Sequence, residues 1–120
     1  MTTTREILQR TRAAWVHINN APAAEKNALL LAMADSLLAQ RETILAANRL
    51  DMEAARGHIS DAMLDRLYLD EGRLNGMAEG IRAMAALPDH TGRILSEITR
   101  PNGLTICKKQ VPLGLVAIIY

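Results

Sequence analysis

The chain has 120 residues, of which 49% are hydrophobic, and its 14 Lys and Arg residues balance 13 Asp and Glu residues. This length suits one small domain, and so apolar a composition argues against disorder. Balanced charge disfavours a nucleic-acid or membrane surface, and base-stacking modules need aromatic residues, which form only 2% of the chain. The charged N-terminal segment MTTTREILQR argues against a signal peptide, so a cytoplasmic location is expected.

The first half of the chain predicts three helices. Thr3 and Glu6 have the spacing of a capping box, which predicts that a helix starts there. Pro22 suits the first residue of a second helix, where its missing N–H costs nothing. A third helix is expected over roughly 41–56, and Gly57 suits the left-handed residue that ends it.

Two more helices are predicted before Pro88. Ser60 is expected to cap a short helix that runs through Leu67. Asp70 is expected to cap a longer helix that runs toward Leu87, and Pro88 ends it because the residue before a proline resists helical angles.

Apolar residues recur at helical spacing in these segments, which predicts that they form a core. Asn48 falls at a core position of the third helix. Five methionines are interpreted as core filling: Met33, Met52, Met63, Met77 and Met84. Three glycines four residues apart on the fifth helix are interpreted as a site of close packing against a neighbouring helix or sheet: Gly72, Gly76 and Gly80.

After Pro88 the apolar period changes to two, which predicts two strands about a turn. Pro101 suits the first corner of a type I turn, and Gly103 suits the left-handed position that closes it. The last segment, VPLGLVAIIY, is apolar from Leu113 to Tyr120 and is too short to span a membrane. Such a run is typical of a strand that is buried on both faces of a parallel sheet, so the chain is expected to be an unfinished part of a larger structure.

No set of residues in the chain is predicted to carry out a reaction or bind a metal. Cys107 lies within a predicted strand, where Lys108 and Lys109 could lower its pKa, but no histidine lies nearby in sequence, so it is interpreted as an ordinary strand cysteine. The three histidines lack metal-ligand spacing and are interpreted as surface residues: His17, His58 and His90. Four acidic residues are interpreted as helix caps and dipole partners: Asp61, Asp65, Asp70 and Glu71.

Four segments in order resemble the N-terminal portion of the γ-glutamyl phosphate reductase (glutamate-5-semialdehyde dehydrogenase) family, within the aldehyde dehydrogenase superfamily. They are ILAANRLDMEAAR, ISDAMLDRL, RLNGMAEGIRAMAALPD and VPLGLVAIIY, and the likeness runs from about Ala23 to Tyr120. The resemblance implies an α/β fold of N-terminal helices, a β-hairpin and the first strand of a doubly wound nucleotide-binding domain, truncated in this chain. The expected regions are a helical region at 1–88, a hairpin of an oligomerisation arm at 89–111, and the first strand of an incomplete NADPH-binding domain at 112–120.

The resemblance also implies a reaction for the full-length enzyme. NADPH reduces L-glutamate 5-phosphate to L-glutamate 5-semialdehyde, with release of phosphate, in proline biosynthesis. A cysteine thiolate displaces phosphate from the acyl phosphate, and hydride reduces the resulting thioester. The family's catalytic cysteine lies in a downstream domain and does not correspond to Cys107, so the chain alone is expected to be inactive. Ile119 and Tyr120 are expected nearest the cofactor, although both also suit plain buried strand residues.

The resemblance implies a homo-oligomer that is joined through the hairpin. Two other interpretations stay open at this point: a non-enzymatic helical interaction module with a strand tail, and part of another aldehyde dehydrogenase relative. Because the apolar segment leaves an unpaired edge, the isolated chain is expected to aggregate or to be poorly stable.

Overall fold

The computed structural model describes residues 3–118 and contains five α-helices followed by one β-hairpin. The helices are α1 (Thr4–Asn20), α2 (Ala23–Ala39), α3 (Arg41–Ala55), α4 (Asp61–Leu67) and α5 (Glu71–Ala85), and the strands are β1 (Ile94–Thr99) and β2 (Thr105–Lys109). The chain divides into two compact units: residues 24–87 hold most of α2 and all of α3–α5, and residues 1–23 with 88–120 hold α1 and the hairpin. The predicted order of helices and hairpin is confirmed.

The start of α1 is fixed by a capping box, as predicted. The Glu6 N–H donates to the Thr3 hydroxyl at 3.3 Å, and the Thr3 N–H donates to the Glu6 carboxylate at 2.7 Å. These hydrogen bonds lower the pKa of Glu6, because they stabilise its charged form. Pro22 precedes the first residue of α2 instead of opening that helix.

The caps of α4 and α5 differ. Asp70 accepts a hydrogen bond from the Arg73 N–H at 2.7 Å, which confirms its predicted capping role. Ser60 occupies the N-cap of α4, as predicted, but its side chain makes no capping hydrogen bond. The φ and ψ of Ser60 suit a cap, and its carbonyl accepts the first backbone bonds of α4 from Met63 and Leu64.

Asp70→Ala is therefore expected to lower the free energy of unfolding by about 1 kcal/mol, because it leaves an N–H of α5 without its cap. Ser60→Ala is the matched control and is expected to change stability by less than about 0.5 kcal/mol, since no side-chain bond is lost. Denaturant unfolding followed by circular dichroism measures both variants. Equal losses in the two variants would contradict this assignment of the caps.

The core of the helical unit is small and is built largely from alanine. Its buried apolar residues are Ala34, Leu74, Ala78 and Ala85, and Asn48 is buried among the helices as well. Within α2–α5, Arg82 donates to Asp35 of α2 and to Glu79 of its own helix, each at 2.8 Å. These ion pairs are largely exposed, so each contributes little to stability.

Parts of the predicted apolar stripes remain exposed on the described residues, whereas Ile44, Leu45 and Met52 of α3 are half-buried. Four of the five methionines interpreted as core filling are exposed by about half: Met33, Met63, Met77 and Met84. An added Cβ at Gly76 or Gly80 would meet nothing within 4 Å, so the predicted close packing at these two glycines is wrong for the part of the chain described. Helical spacing therefore indicated the apolar faces but not the extent to which each is buried.

The hairpin is antiparallel and closes as predicted. The Gly103 N–H donates to the Arg100 carbonyl at 2.9 Å, and Gly103 has a φ of +85°, which a residue with a side chain rarely adopts. Ile98 pairs with Ile106 and Glu97 pairs with Cys107 across the strands, with a bulge between Ile94 and Ser96. Every residue of β1 and β2 is exposed, so the hairpin offers both faces and its edges for pairing.

Candidate functional site

The apolar segment 111–118, which follows the hairpin, is the candidate functional part of the chain. Among the described residues it pairs with no strand and carries no strand assignment. Its side chains are open to solvent: Leu113 is 96% exposed, Val111 76% and Ile118 69%. The prediction of a strand that is buried on both faces is therefore not realised within residues 3–118, because these residues supply neither a neighbouring strand nor covering helices.

Within its own unit, the segment contacts α1 at Gly114. Gly114 lies against the indole of Trp15, so that an added Cβ would lie 3.1 Å from Trp15 Nε1. Gly114 also has a φ of +94°, which favours glycine. A groove of about 220 Å³ runs beside the contact, lined by Thr11, Ala14, Trp15, Ile18, Asn19, Gly114 and Leu115.

The two residues predicted to lie near a nucleotide cofactor, Ile119 and Tyr120, lie outside the described residues. Their placement remains a prediction. The described residues do not form a dinucleotide site by themselves, since such a site needs a glycine-rich turn between a strand and a helix. Gly72, Gly76 and Gly80 lie at the start of α5 and within it, and the last described residues are purely apolar.

Cys107 is exposed on β2, and its thiol donates to the Glu97 carboxylate on β1 at 3.2 Å. This hydrogen bond is the main cause that raises the pKa of Cys107; Lys109 acts in the opposite direction but is the smallest contribution. Lys109 does lower the pKa of Cys107, as suggested, but the cross-strand carboxylate outweighs it and the pKa is raised overall. A thiol of this kind is mostly protonated at neutral pH and is a poor nucleophile.

Glu97→Gln is expected to lower the pKa of Cys107 and to speed alkylation of the thiol severalfold near pH 8, because the nearby negative charge is removed. The measurement is the rate of iodoacetamide labelling from pH 7 to 10. Glu79→Gln, at a carboxylate on α5 that pairs with Arg82, is the matched control and should leave the rate unchanged. An unchanged pH profile in Glu97→Gln would contradict the role of the hydrogen bond.

The other polar residues singled out from the sequence lie apart from one another. His17, His58 and His90 are exposed, as predicted. Within residues 3–118, no group of three or more His, Cys, Asp and Glu side chains is placed to hold a metal ion. Asp65 pairs with Arg73 at 2.6 Å, so it serves the helical unit.

Asn48 is buried, as its predicted core position required, and the role that sequence reasoning missed is that its amide links α3 to the connection between α4 and α5. Its Nδ2 donates to the Leu67 carbonyl at 2.8 Å, and its Oδ1 accepts from the Leu69 N–H at 2.9 Å. The side chain is 7% exposed. The signal in the sequence is a polar residue at a core position of an apolar helical stripe, a position that requires hydrogen-bond partners.

Arg73 secures the same connection from α5. Its guanidinium donates to the Tyr68 carbonyl at 2.9 Å and to the backbone and side chain of Asp65, and it lies 5.3 Å from the centroid of the Tyr68 ring. The hydrogen bonds of Asn48 and Arg73 are therefore structural, since they fix the path of residues 65–73.

The helices and hairpin define part of an α/β protein, and comparisons with known proteins show which proteins the chain is similar to. No protein-family model matches the chain. It is 57% identical over all 120 residues to a γ-glutamyl phosphate reductase of Neisseria gonorrhoeae and 53% identical to that of Streptococcus suis, covering 29% of each. A crystal structure of γ-glutamyl phosphate reductase from Thermotoga maritima matches with a TM-score of 0.82 and 33% identity, over 87% of this chain and 25% of that one.

This similarity to γ-glutamyl phosphate reductases along the whole chain confirms the resemblance drawn from its sequence segments. The chain spans 29% of the length of the curated relatives that it matches, which is consistent with the predicted N-terminal portion. Among residues 3–118, no helix combines the length and the hydrophobicity required to cross a membrane.

Proposed function

We propose that this chain is the N-terminal portion of an NADPH-dependent reductase that converts L-glutamate 5-phosphate to L-glutamate 5-semialdehyde and phosphate in proline biosynthesis. The observation that carries the proposal is identity of 52–57% along the whole chain to proteins named γ-glutamyl phosphate reductase. The aldehyde dehydrogenase superfamily, a cytoplasmic location and a homo-oligomer joined through the hairpin are parts of the same proposal.

The chain's contribution to that enzyme is structural. The described residues bring together no nucleophile, base and oxyanion donor, and the thiol of Cys107 has a raised pKa. The reacting cysteine and the cofactor's phosphate-binding turn are assigned to the part of the relatives that this chain does not cover. NADPH would supply the hydride, and residues 3–118 are assigned no step in that transfer.

The exposed apolar surface supports a structural role for this chain within a larger enzyme. Leu113, Val116 and Ile118 are each more than half exposed, and so is Leu50 on α3. Exposing so much apolar surface is unfavourable in a protein that works alone, whereas the same surface can be buried within a larger enzyme. The hairpin, with its open edges, suits pairing with another subunit.

The test is an assay of the reverse reaction in the longer polypeptide that carries this sequence. Glutamate 5-semialdehyde, phosphate and NADP⁺ should yield NADPH, read at 340 nm, and omission of phosphate should abolish the signal. The 120-residue chain assayed alone at the same concentration should give no turnover. A longer polypeptide that is folded but inactive with these substrates, or a 120-residue chain that is active, would contradict the proposal.

A further inference from the structure

No strand among residues 3–118 pairs with segment 111–118, so the path of the segment is not set by strand pairing within these residues. The one close contact recorded at Gly114 is with the indole of Trp15. Trp15 is the only tryptophan in a chain with three aromatic residues, and it is 40% exposed. A large aromatic ring laid on a glycine backbone is a specific arrangement, since any side chain at the glycine would displace it.

A continuous face of α1 lies along the segment. Leu8 and Arg12 line a second, open groove of about 560 Å³ together with Leu115, and Trp15 and Ile18 line the groove beside Gly114. These α1 residues recur at steps of three and four, so they share one side of the helix. Leu115 borders both grooves, which places residues 114 and 115 along this side of α1.

We propose that Trp15 is a positioning residue, which holds segment 111–118 against α1 by packing on Gly114. Two features of Gly114 match this role: its φ of +94° turns the chain, and its missing side chain admits the indole. The packing of segment 111–118 against α1 is supported by the geometry of this contact alone. Its consequence rests on the proposed function: α1 sets the direction from which the segment enters the sheet of the cofactor domain.

The experiment uses the fluorescence of Trp15 in the 120-residue chain, where it is the only tryptophan. Gly114→Ala introduces a Cβ that would meet the indole, so the rate of acrylamide quenching is expected to rise about twofold. Gly103→Ala is the matched control, because Gly103 has a similar φ of +85° but nothing lies within 4 Å of its added Cβ. A quenching rate that is unchanged in Gly114→Ala, or raised equally in both variants, would overturn the proposal.

A second pair of variants decides the question if Gly114→Ala does not fold. Trp15→Ala should speed chymotrypsin cleavage at Leu113 and Leu115 severalfold, and Trp15→Phe, which retains an aromatic ring, should restore most of the resistance. Equal cleavage rates for the parent and both variants would overturn the proposal. Neither measurement involves NADPH or substrate. A negative result in these two experiments would therefore not contradict the proposed function, and an inactive longer polypeptide would not contradict the contact between Trp15 and segment 111–118.

Discussion

Asn48→Leu is expected to lower the free energy of unfolding of the helical unit by about 2–3 kcal/mol, because both partners of the amide lose their hydrogen bond. The Leu67 carbonyl and the Leu69 N–H lie in a partly buried connection, and the new side chain offers them neither donor nor acceptor. For a unit of this size the loss corresponds to a decrease in Tm of roughly 15–20 °C. Thermal unfolding followed by far-ultraviolet circular dichroism measures it.

Two further variants sharpen this prediction. Asn75→Leu makes the same substitution at an exposed position of α5 and should change stability by less than about 0.5 kcal/mol. Asn48→Asp retains an acceptor for the Leu69 N–H but, when ionised, cannot donate to the Leu67 carbonyl, so it should also destabilise the unit. If Asn48→Leu is as stable as Asn75→Leu, the amide does not secure the connection between α4 and α5.

Val116→Asp is expected to lower stability strongly in the longer polypeptide and hardly at all in the 120-residue chain. In the longer polypeptide, where we propose that segment 113–118 is a buried strand, an unpaired carboxylate should cost on the order of 4 kcal/mol and deplete the soluble enzyme. In the 120-residue chain Val116 is 59% exposed, so the same change should alter stability by less than about 0.5 kcal/mol. The readouts are the yield of soluble protein and the unfolding midpoint.

Val111→Asp is the matched control, because Val111 lies before the predicted strand and is 76% exposed. It should reduce the yield of the longer polypeptide far less than Val116→Asp does. The same loss from both variants in the longer polypeptide would show that position within the strand does not matter. A large loss from Val116→Asp in the 120-residue chain would mean that this chain already buries Val116.

Local features of the fold followed from the sequence because their causes are local. The capping box of Thr3 and Glu6, the cap of Asp70 and the turn at Gly103 each depend on residues a few positions apart. Ser60 failed as a side-chain cap although its residue type suits one, because the preference does not fix which way the hydroxyl points. The pairing of Glu97 with Cys107 depends on hairpin register, which reversed the expected direction of the thiol's pKa.

The burial of the helix residues followed from the sequence only in part. Periodicity indicates which face of a helix is apolar but not what covers it, so Met33 and Met77 were interpreted as core and are exposed. Asn48 is buried at its predicted core position, but the two backbone groups that satisfy its amide are distant in sequence and were not predicted. The candidate cofactor positions, Ile119 and Tyr120, lie outside the described residues and remain predictions.

Amide hydrogen exchange across residues 111–118, compared between the 120-residue chain and the longer polypeptide, tests the central claim most directly. In the chain alone these amides form no ladder with a described strand, so they should exchange at nearly the unfolded rate. In the longer polypeptide, paired on both edges within a sheet, they should exchange about 10³-fold or more slowly. Equally fast exchange in both proteins would contradict a strand that is completed by the rest of the enzyme.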